Sequence, residues 1–338
     1  MSALTVEVII PFRRWDAWVA ECVRSVLALQ PPCQWVTLVP DRDLVPECWA
    51  AIQNMPGFCN QVCELPSGPV NPGQKRNLAM ARSQADIFGF IDADARAFSD
   101  WLARVQAAFT DARVAILGGP NLTPPEDHPL QKACGDVMAS PIGMGAAYIR
   151  HVPVRAREVT ELPTCNMLSR NIKWLRFDPR LDTSEDMVYC GQALARGYKL
   201  IYDPEVRVHH HRRRLGLLFI RQFYDYGLNQ GRRAEWKWIW RAAPLGFVFY
   251  VASLLVIAAF FPSELSPWLA PLSRYFLIVG IECIRLARWR LHFFLTLLAF
   301  PAAHVSYGCG YLQGWMKIHL RSGRLPKSCW GGGADDNK

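Results

Sequence analysis

The stretch FGFIDADARAF, residues 88–98, decides the fold. It opens as a buried strand would, with Phe88, Gly89, Phe90 and Ile91, and then sets two aspartates one residue apart, Asp92 and Asp94. Unpaired carboxylates are costly in an apolar core. At the carboxyl end of a strand in an open α/β sheet they face the crevice where ligands bind. The flanking sequence predicts such a sheet. VEVIIPF (6–12), QWVTLVPD (34–41), QVCELP (61–66), IFGFIDAD (87–94) and VAILGGPN (114–121) read as strands. Helical spacing marks 16–29, with Asp16 as the N-cap, 73–85, and 99–109, with Ser99 as the cap. Strands alternating with helices imply βαβ units, and apolar strands without strict alternation fit a sheet covered on both faces.

Carboxylates spaced D-x-D at a strand end suit Mg²⁺ or Mn²⁺, which take oxygen ligands and are commonly shared with substrate phosphates. Two aspartates in a surface turn are also common, so the tripeptide alone decides little. A second constellation follows at FDPRLDTSEDMVYCGQALARGYKLIYDPEVRVHHH, residues 177–211. Glu185 and Asp186 open a predicted helix capped by Thr183 or Ser184 and ended by Gly197. Acidic residues suit a helix N-terminus through the helix dipole, and one placed at a domain edge can also accept a proton from a nucleophile.

The motifs VIIPF (8–12), PGQKRNLA (72–79), DADA (92–95) and FDPRLDTSED (177–186) resemble, in this order, the family 2 glycosyltransferases. These are inverting enzymes with the GT-A nucleotide-sugar-binding fold. The resemblance covers about residues 5–211. It implies a nucleotide-diphosphate-sugar donor and assigns roles. Pro11 would border the nucleoside, and Asp41 or Asp43 would contact base or ribose. Arg76 would lie near the nucleotide, Asp92 would face ribose or sugar, and Asp94 would be the main metal ligand. Asp186 would be the general base with Glu185 beside it, and one of His209, His210 or His211 would reach the metal or diphosphate, His209 and His211 being favoured together because they would share a strand face. The chain departs from the family pattern in PDRDLVPE (40–47), where many members carry a D-D-G-S-type turn. Lys75 replaces the usual small residue before the Arg-Asn pair, and would touch phosphate or be solvated. No Q-x-x-R-W follows the base; the chain reads RQFYDYGLNQGRR (221–233), so single transfer is expected rather than processive synthesis.

The rest of the chain reads as a membrane region. Mean hydropathy is +0.04, raised by residues 242–316. APLGFVFYVASLLVIAAFF (243–261) carries no charge and is long enough to span. YFLIVGI (275–281) would need a longer helix, and 291–316 is interrupted by Pro301. Two crossings are expected. The chain is thus divided into a catalytic domain (1–211), a basic interfacial segment (212–241), a membrane region (242–316) and a tail (317–338). The formal net charge is +9. Arg212, Arg213, Arg214, Arg221, Arg232, Arg233, Lys237 and Arg241 precede the first apolar run, which favours anionic membrane lipids over nucleic acid. Eleven cysteines at scattered spacing give no disulfide framework. With no signal peptide read, the catalytic domain is placed on the cytoplasmic side of the inner membrane.

The segment ASPIGMGAAYIRH (139–151) resembles the acceptor-facing loop of bacterial exopolysaccharide and lipid-linked-oligosaccharide transferases. That resemblance, together with the anchor, implies a polyprenyl-diphosphate-linked saccharide acceptor. A polyprenyl-phosphate sugar transferase is the nearest alternative, although the Glu-Asp pair would then have no proton to take. A membrane-anchored Rossmann oxidoreductase lacks its G-x-G-x-x-G turn, since PFRRWDAW (11–18) follows the first strand. A non-catalytic scaffold would not need Asp92, Asp94 and Asp186.

Overall fold

A computed structural model of the chain describes residues 3–58, 61–232, 242–286 and 290–322. The chain divides into two compact units, one of residues 1–126 and 146–211, the other of residues 127–145 and 212–338. The strands are β1 (Val6–Pro11), β2 (Trp35–Val39), β3 (Val62–Glu64), β4 (Ile87–Phe90), β5 (Ala95–Ala97), β6 (Val114–Gly118), β7 (Asn121–Leu122), β8 (Arg157–Val159), β9 (Met167–Arg170), β10 (Lys199–Tyr202) and β11 (Val208–His210). The helices are α1 (Ala17–Leu27), α2 (Pro46–Gln53), α3 (Pro72–Arg82), α4 (Val105–Ala108), α5 (Pro129–Met138), α6 (Pro141–Met144), α7 (Glu185–Leu194), α8 (Leu217–Arg232), α9 (Ala243–Phe260), α10 (Leu265–Leu286) and α11 (Arg290–Ser322).

The first unit is built on an eight-stranded sheet in the order β3-β2-β1-β4-β9-β6-β10-β8. Pairing is parallel from β3 through β4 and again between β6 and β10, whereas β9 and β8 run antiparallel to their neighbours. The sheet is covered on both faces, as the continuous apolar strands require. Val8 and Ile10 face a core shared with Val19, Val23 and Val26 of α1. Ile9 faces the opposite core, shared with Ala79 and Met80 of α3 and Tyr189 of α7. Asp16 caps α1 as expected, accepting from the amides of Trp18 and Val19. Residues 99–109 differ from the expected long helix. Turns lead into α4, and Trp101 is buried against Gly89 and donates to Asn166 Oδ1 at 2.7 Å. Burying that ring and its N–H outweighs the helical register.

β4 ends at Phe90, so Asp92 and Asp94 lie just beyond the strand. A second sheet, β5-β11-β7, forms beside them. It pairs His210 with Ala95, the residue after Asp94. Asn166 holds the approach to β11, its amide donating to Val206 O at 2.7 Å and Pro120 O at 3.1 Å.

The second unit is helical. Its core joins Cys134 and Val137 of α5, Phe219 and Phe223 of α8, Val279 and Cys283 of α10, and Ala299, Phe300 and Ala303 of α11. Thus 127–145 packs with the C-terminal helices, a long-range grouping that sequence order alone does not indicate. Among the described residues two helices are long and apolar enough to cross a membrane, Ala243–Phe260 and Leu291–Ile318; the first is almost wholly exposed and the second nearly half buried within the unit. In α10 the Tyr250 hydroxyl enters the helix beside Pro271, donating to Trp268 O and accepting from Leu272 N. Of the basic interfacial segment, residues 233–241 lie outside the described residues, as does the tail from 323.

Two sequences of the form G-x-x-x-G, GLNQG (227–231) and GYLQG (310–314), bring α8 and α11 together. A Cβ at Gly227 or Gly231 would lie 2.0–2.1 Å from the carbonyl oxygens of Tyr307 or Tyr311, and one at Gly310 or Gly314 would lie 2.0–2.2 Å from those of Tyr224 or Leu228. The backbones are therefore in direct contact, as small residues permit. Gly310→Ala is expected to destabilise the purified protein by roughly 1–3 kcal/mol, the usual cost of overpacking. Gly246→Ala, where nothing lies within 4 Å, is the control and should leave the detergent melting temperature unchanged. Equal melting of the two variants would contradict this packing.

Candidate active site

The motifs at 72–77 and 177–185 are stitched together. Asn71 caps α3 through Gln74 N at 2.8 Å, and its amide nitrogen donates to Pro179 O at 2.8 Å. Asn77 exchanges two hydrogen bonds with the backbone of Phe177, at 2.7 and 3.0 Å. Gly73 lets this happen, because a Cβ there would lie 3.1 Å from Phe177 Cβ. The result sets the N-terminus of α7 beside α3. Ser184 precedes α7 in a left-handed conformation (φ 61°) and makes no side-chain cap, so the expected capping by Ser184 gives way to a backbone turn at the entry to Glu185 and Asp186.

Arg76 is the centre of the arrangement. Its guanidinium is buried, donating from Nη2 to Asp92 Oδ1 at 2.7 Å and from Nη1 to Glu185 Oε1 at 3.0 Å. Phe177 lies under it, 5.5 Å from the ring centre. One cation thus joins the strand-end carboxylate to the acidic pair of α7. Burial pushes the Asp92 carboxyl up, Arg76 draws it down, and the net shift is upward. Asp186 sits beyond Glu185 and accepts from Met187 N at 2.8 Å. Burial, and then the Glu185 charge, push it up to about 6 against the pull of Arg150, which is itself paired with Glu161.

Asp92, Asp94 and His210 place one ligand atom each within 4.8 Å of one another. His210 Nε2 lies 3.1 Å from Asp94 Oδ1. Burial disfavours the charged imidazole, but the Asp94 carboxylate overcomes this and shifts His210 upward. Two carboxylates and an imidazole are a donor set that fits Mg²⁺ or Mn²⁺. Of the three histidines it is His210, rather than the favoured His209 or His211, that lies with the two aspartates. On β11 the alternation turns His210, with Val208, away from the face of His209, whose ring lies 4.6 Å from Phe98 and near Arg96. His211 stacks on Trp18 at 5.4 Å, with Nε2 3.6 Å from Glu21.

Pro11 ends β1 and pairs with Val39 at the end of β2. Asp41 follows β2 half-buried, whereas Asp43 is exposed. Lys75 is neither solvated nor free for phosphate. It is buried, donating to Phe12 O, to Val39 O at 3.4 Å and to Asp41 Oδ1. Sequence reasoning missed this pairing and the bridging role of Arg76; the K-R dipeptide of PGQKRN was the available signal.

A strand-end Asp-x-Asp with an imidazole, an acidic pair across a shared arginine, and this mixed sheet are those of an α/β protein with the GT-A fold. Residues 7–136 match the family model Glycosyl transferase family 2. The fold is similar to that of the mannosyltransferase PcManGT from Pyrobaculum calidifontis, solved in complex with GDP-Man and Mn²⁺. The TM-score is 0.61 at 15% identity, over 94% of this chain and 88% of that one. S. aureus TarS (TM-score 0.44, 14% identity, 69% of this chain) and GalNAc-T7 solved with UDP, GalNAc and Mn²⁺ (0.48, 14%, 68%) also match. The chain spans 40% of the TarS chain and 51% of the GalNAc-T7 chain. No curated protein matches the sequence.

Proposed function

We propose that the protein is a membrane-anchored inverting glycosyltransferase. It moves one sugar from a nucleotide-diphosphate-sugar to a hydroxyl of a polyprenyl-diphosphate-linked saccharide, at the cytoplasmic face of the inner membrane. The observation that carries this reading is the single buried Arg76 held between Asp92 and Glu185, which sets a cation-binding group and a carboxylate raised to about 6 around one site.

Asp94, Asp92 and His210 would hold Mg²⁺ or Mn²⁺, which when bound neutralises the diphosphate leaving group. Asp186 accepts the proton of the acceptor hydroxyl. The hydroxyl oxygen attacks the anomeric carbon on the face opposite the diphosphate. The bond from that carbon to the leaving oxygen breaks, and its electron pair departs with the nucleoside diphosphate. An α-linked donor gives a β-linked product. Glu185 is held by Arg76 and supports Asp186 rather than replacing it. Metal-dependent hydrolysis of nucleotide-sugars, screened with Mn²⁺, tests the reading; no turnover with any donor would refute it.

The membrane part of the reading is supported by the surface of the second unit. The N-terminal end of α8 exposes Leu217, Leu218 and Ile220 beside Arg213, Arg214 and Arg221. Apolar side chains flanked by arginines suit an interfacial helix on anionic lipid. The full chain should float with anionic vesicles more than with neutral ones. The triple variant Arg213→Gln, Arg214→Gln, Arg221→Gln should lose that difference, as should raised salt, because exposed charge is screened within about 8 Å at physiological ionic strength. An unchanged preference in the variant would remove the basic segment from membrane docking.

A further inference from the structure

A second arginine stands beside the acidic pair of α7. Arg150 closes the 3₁₀ helix Gly145–Arg150 and pairs through Nη2 with Glu161 Oε1. Glu161 is held in place through its neighbour. Leu162 N donates to Cys190 Sγ at 3.4 Å, and the Cys190 thiol donates to Leu162 O at 3.6 Å. Cys190 follows Asp186 by one helical turn, so the two share a face of α7. The sulfur therefore pins Glu161, and Arg150 with it, beside the face of α7 that carries Asp186. Both partners are partly buried, with side chains 18% and 25% exposed. Burial opposes the charge on Arg150, and Glu161 first and Asp186 second outweigh it. The guanidinium thus answers to two carboxylates, as that of Arg76 does.

We infer that Arg150 and Glu161 are positioning residues for the proposed base, Arg150 a second cation beside it and Glu161 the restraint that keeps this cation from closing on Asp186; this rests on the transferase reading above. A guanidinium closed on a carboxylate holds it ionised and makes it a poor proton acceptor. Glu161 supplies the competing oxygen. The groups that face Asp186 are Glu185 and Cys190 of α7, Arg150, and Glu161, while Arg76 is engaged with Glu185 and Asp92. Burial and the Glu185 charge raise Asp186, Arg150 draws it down, and Glu161 raises it. The two members of one ion pair therefore act on the same proton with opposite sign.

That proton can be read through two observables on the full-length protein. In Mn²⁺-dependent hydrolysis of UDP-glucose or GDP-mannose, the acid limb of kcat follows Asp186 and stands at about 6 in the unaltered protein. Without turnover, the melting difference between each protein and its own Asp186→Asn form widens as pH rises and levels off at the same point, because a raised carboxyl costs stability as it ionises. Glu161→Gln removes a like charge and releases Arg150 toward Asp186. Both readouts should move to lower pH by about one unit. The plateau of kcat should fall several-fold, since a weaker base accepts its proton more slowly. Arg150→Met removes the cation, and both readouts should move to higher pH. In the double variant the two changes oppose each other, so the limb should return toward its unaltered position and the plateau should recover over Glu161→Gln. A pair that only braces the loop would not give opposite shifts. Shifts of one sign in the two single variants, or none, overturn the inference even if the double variant fails to fold. Opposite melting shifts with no hydrolysis of either nucleotide-sugar would uphold the hold of the pair on Asp186 and count against the transferase reading.

Discussion

Asp186→Asn is expected to cut sugar transfer by about 10²–10⁴-fold while leaving donor affinity unchanged, since general-base catalysis contributes on that order. The substitution keeps the side-chain shape and its contact with Met187 N, and removes the proton acceptor. The raised carboxyl gives the reaction a pH signature. Below about 6 Asp186 holds its proton and cannot take another, so the rate should climb through that region and level above it. Glu185→Gln removes a like charge from beside Asp186, so the climb should move to lower pH, with a smaller loss of rate. The sign for stability runs the other way from a salt-bridged carboxylate. A folded value above the ordinary 3.8 means that stability falls as pH rises toward 6, and Asp186→Asn should be no less stable than the unaltered protein at neutral pH. Transfer rate, donor affinity and melting measured on one preparation decide the matter. Near-normal transfer by Asp186→Asn would remove the base and favour an acceptor that is already anionic, such as a polyprenyl phosphate.

The second large effect is expected at Asp94. Asp94→Ala should abolish Mn²⁺-dependent binding of nucleoside diphosphate, because it removes one of three groups gathered within 4.8 Å. Asp94 lies beyond the end of β4 with its side chain partly exposed, so its loss opens no core cavity, and the melting temperature should change little. His210→Ala should weaken the same binding to a lesser degree, whereas His209→Ala should not. Calorimetry with and without Mn²⁺ separates these outcomes, and an unaltered affinity in Asp94→Ala would withdraw the cation from the site.

The sheet was legible because its strands are apolar on both faces and are punctuated by Pro and Gly. The β1 and β2 strands fall within a residue or two of the positions their sequences indicate, whereas β4 ends at Phe90, before the aspartates that its indicated span 87–94 included. Two strands escaped. MLSR at 167–170 and REV at 157–159 are short and carry polar residues, and they hold their places through pairing with β4, β6 and β10. In the site, residue types were readable and partners were not. Asp92 and Glu185 each stand out in sequence, yet the arginine that joins them is one of 20 ordinary-looking lysines and arginines in the first unit until α3 is folded against residues 177–185. The histidines show the same limit in smaller compass. Alternation correctly groups His209 with the far face of His210, but only the register of β11 on β5 decides which face meets Asp94.

The stitching of α3 to residues 177–185 also sets an order of events during synthesis. Arg76 and Glu185 are 109 residues apart in the chain. At the usual ~5–20 residues per second, roughly 5–20 s separate the emergence of the buried arginine from that of its second carboxylate. Through that interval the nascent sheet holds Asp92 and Arg76 without α7, and the Asn77 amide waits for the backbone of Phe177. A ribosome stalled before residue 185 would therefore display an incomplete, water-exposed guanidinium at the strand ends. Such a nascent chain should be cleaved by protease near α3 far more readily than the released protein, even though most of its sheet has already been made.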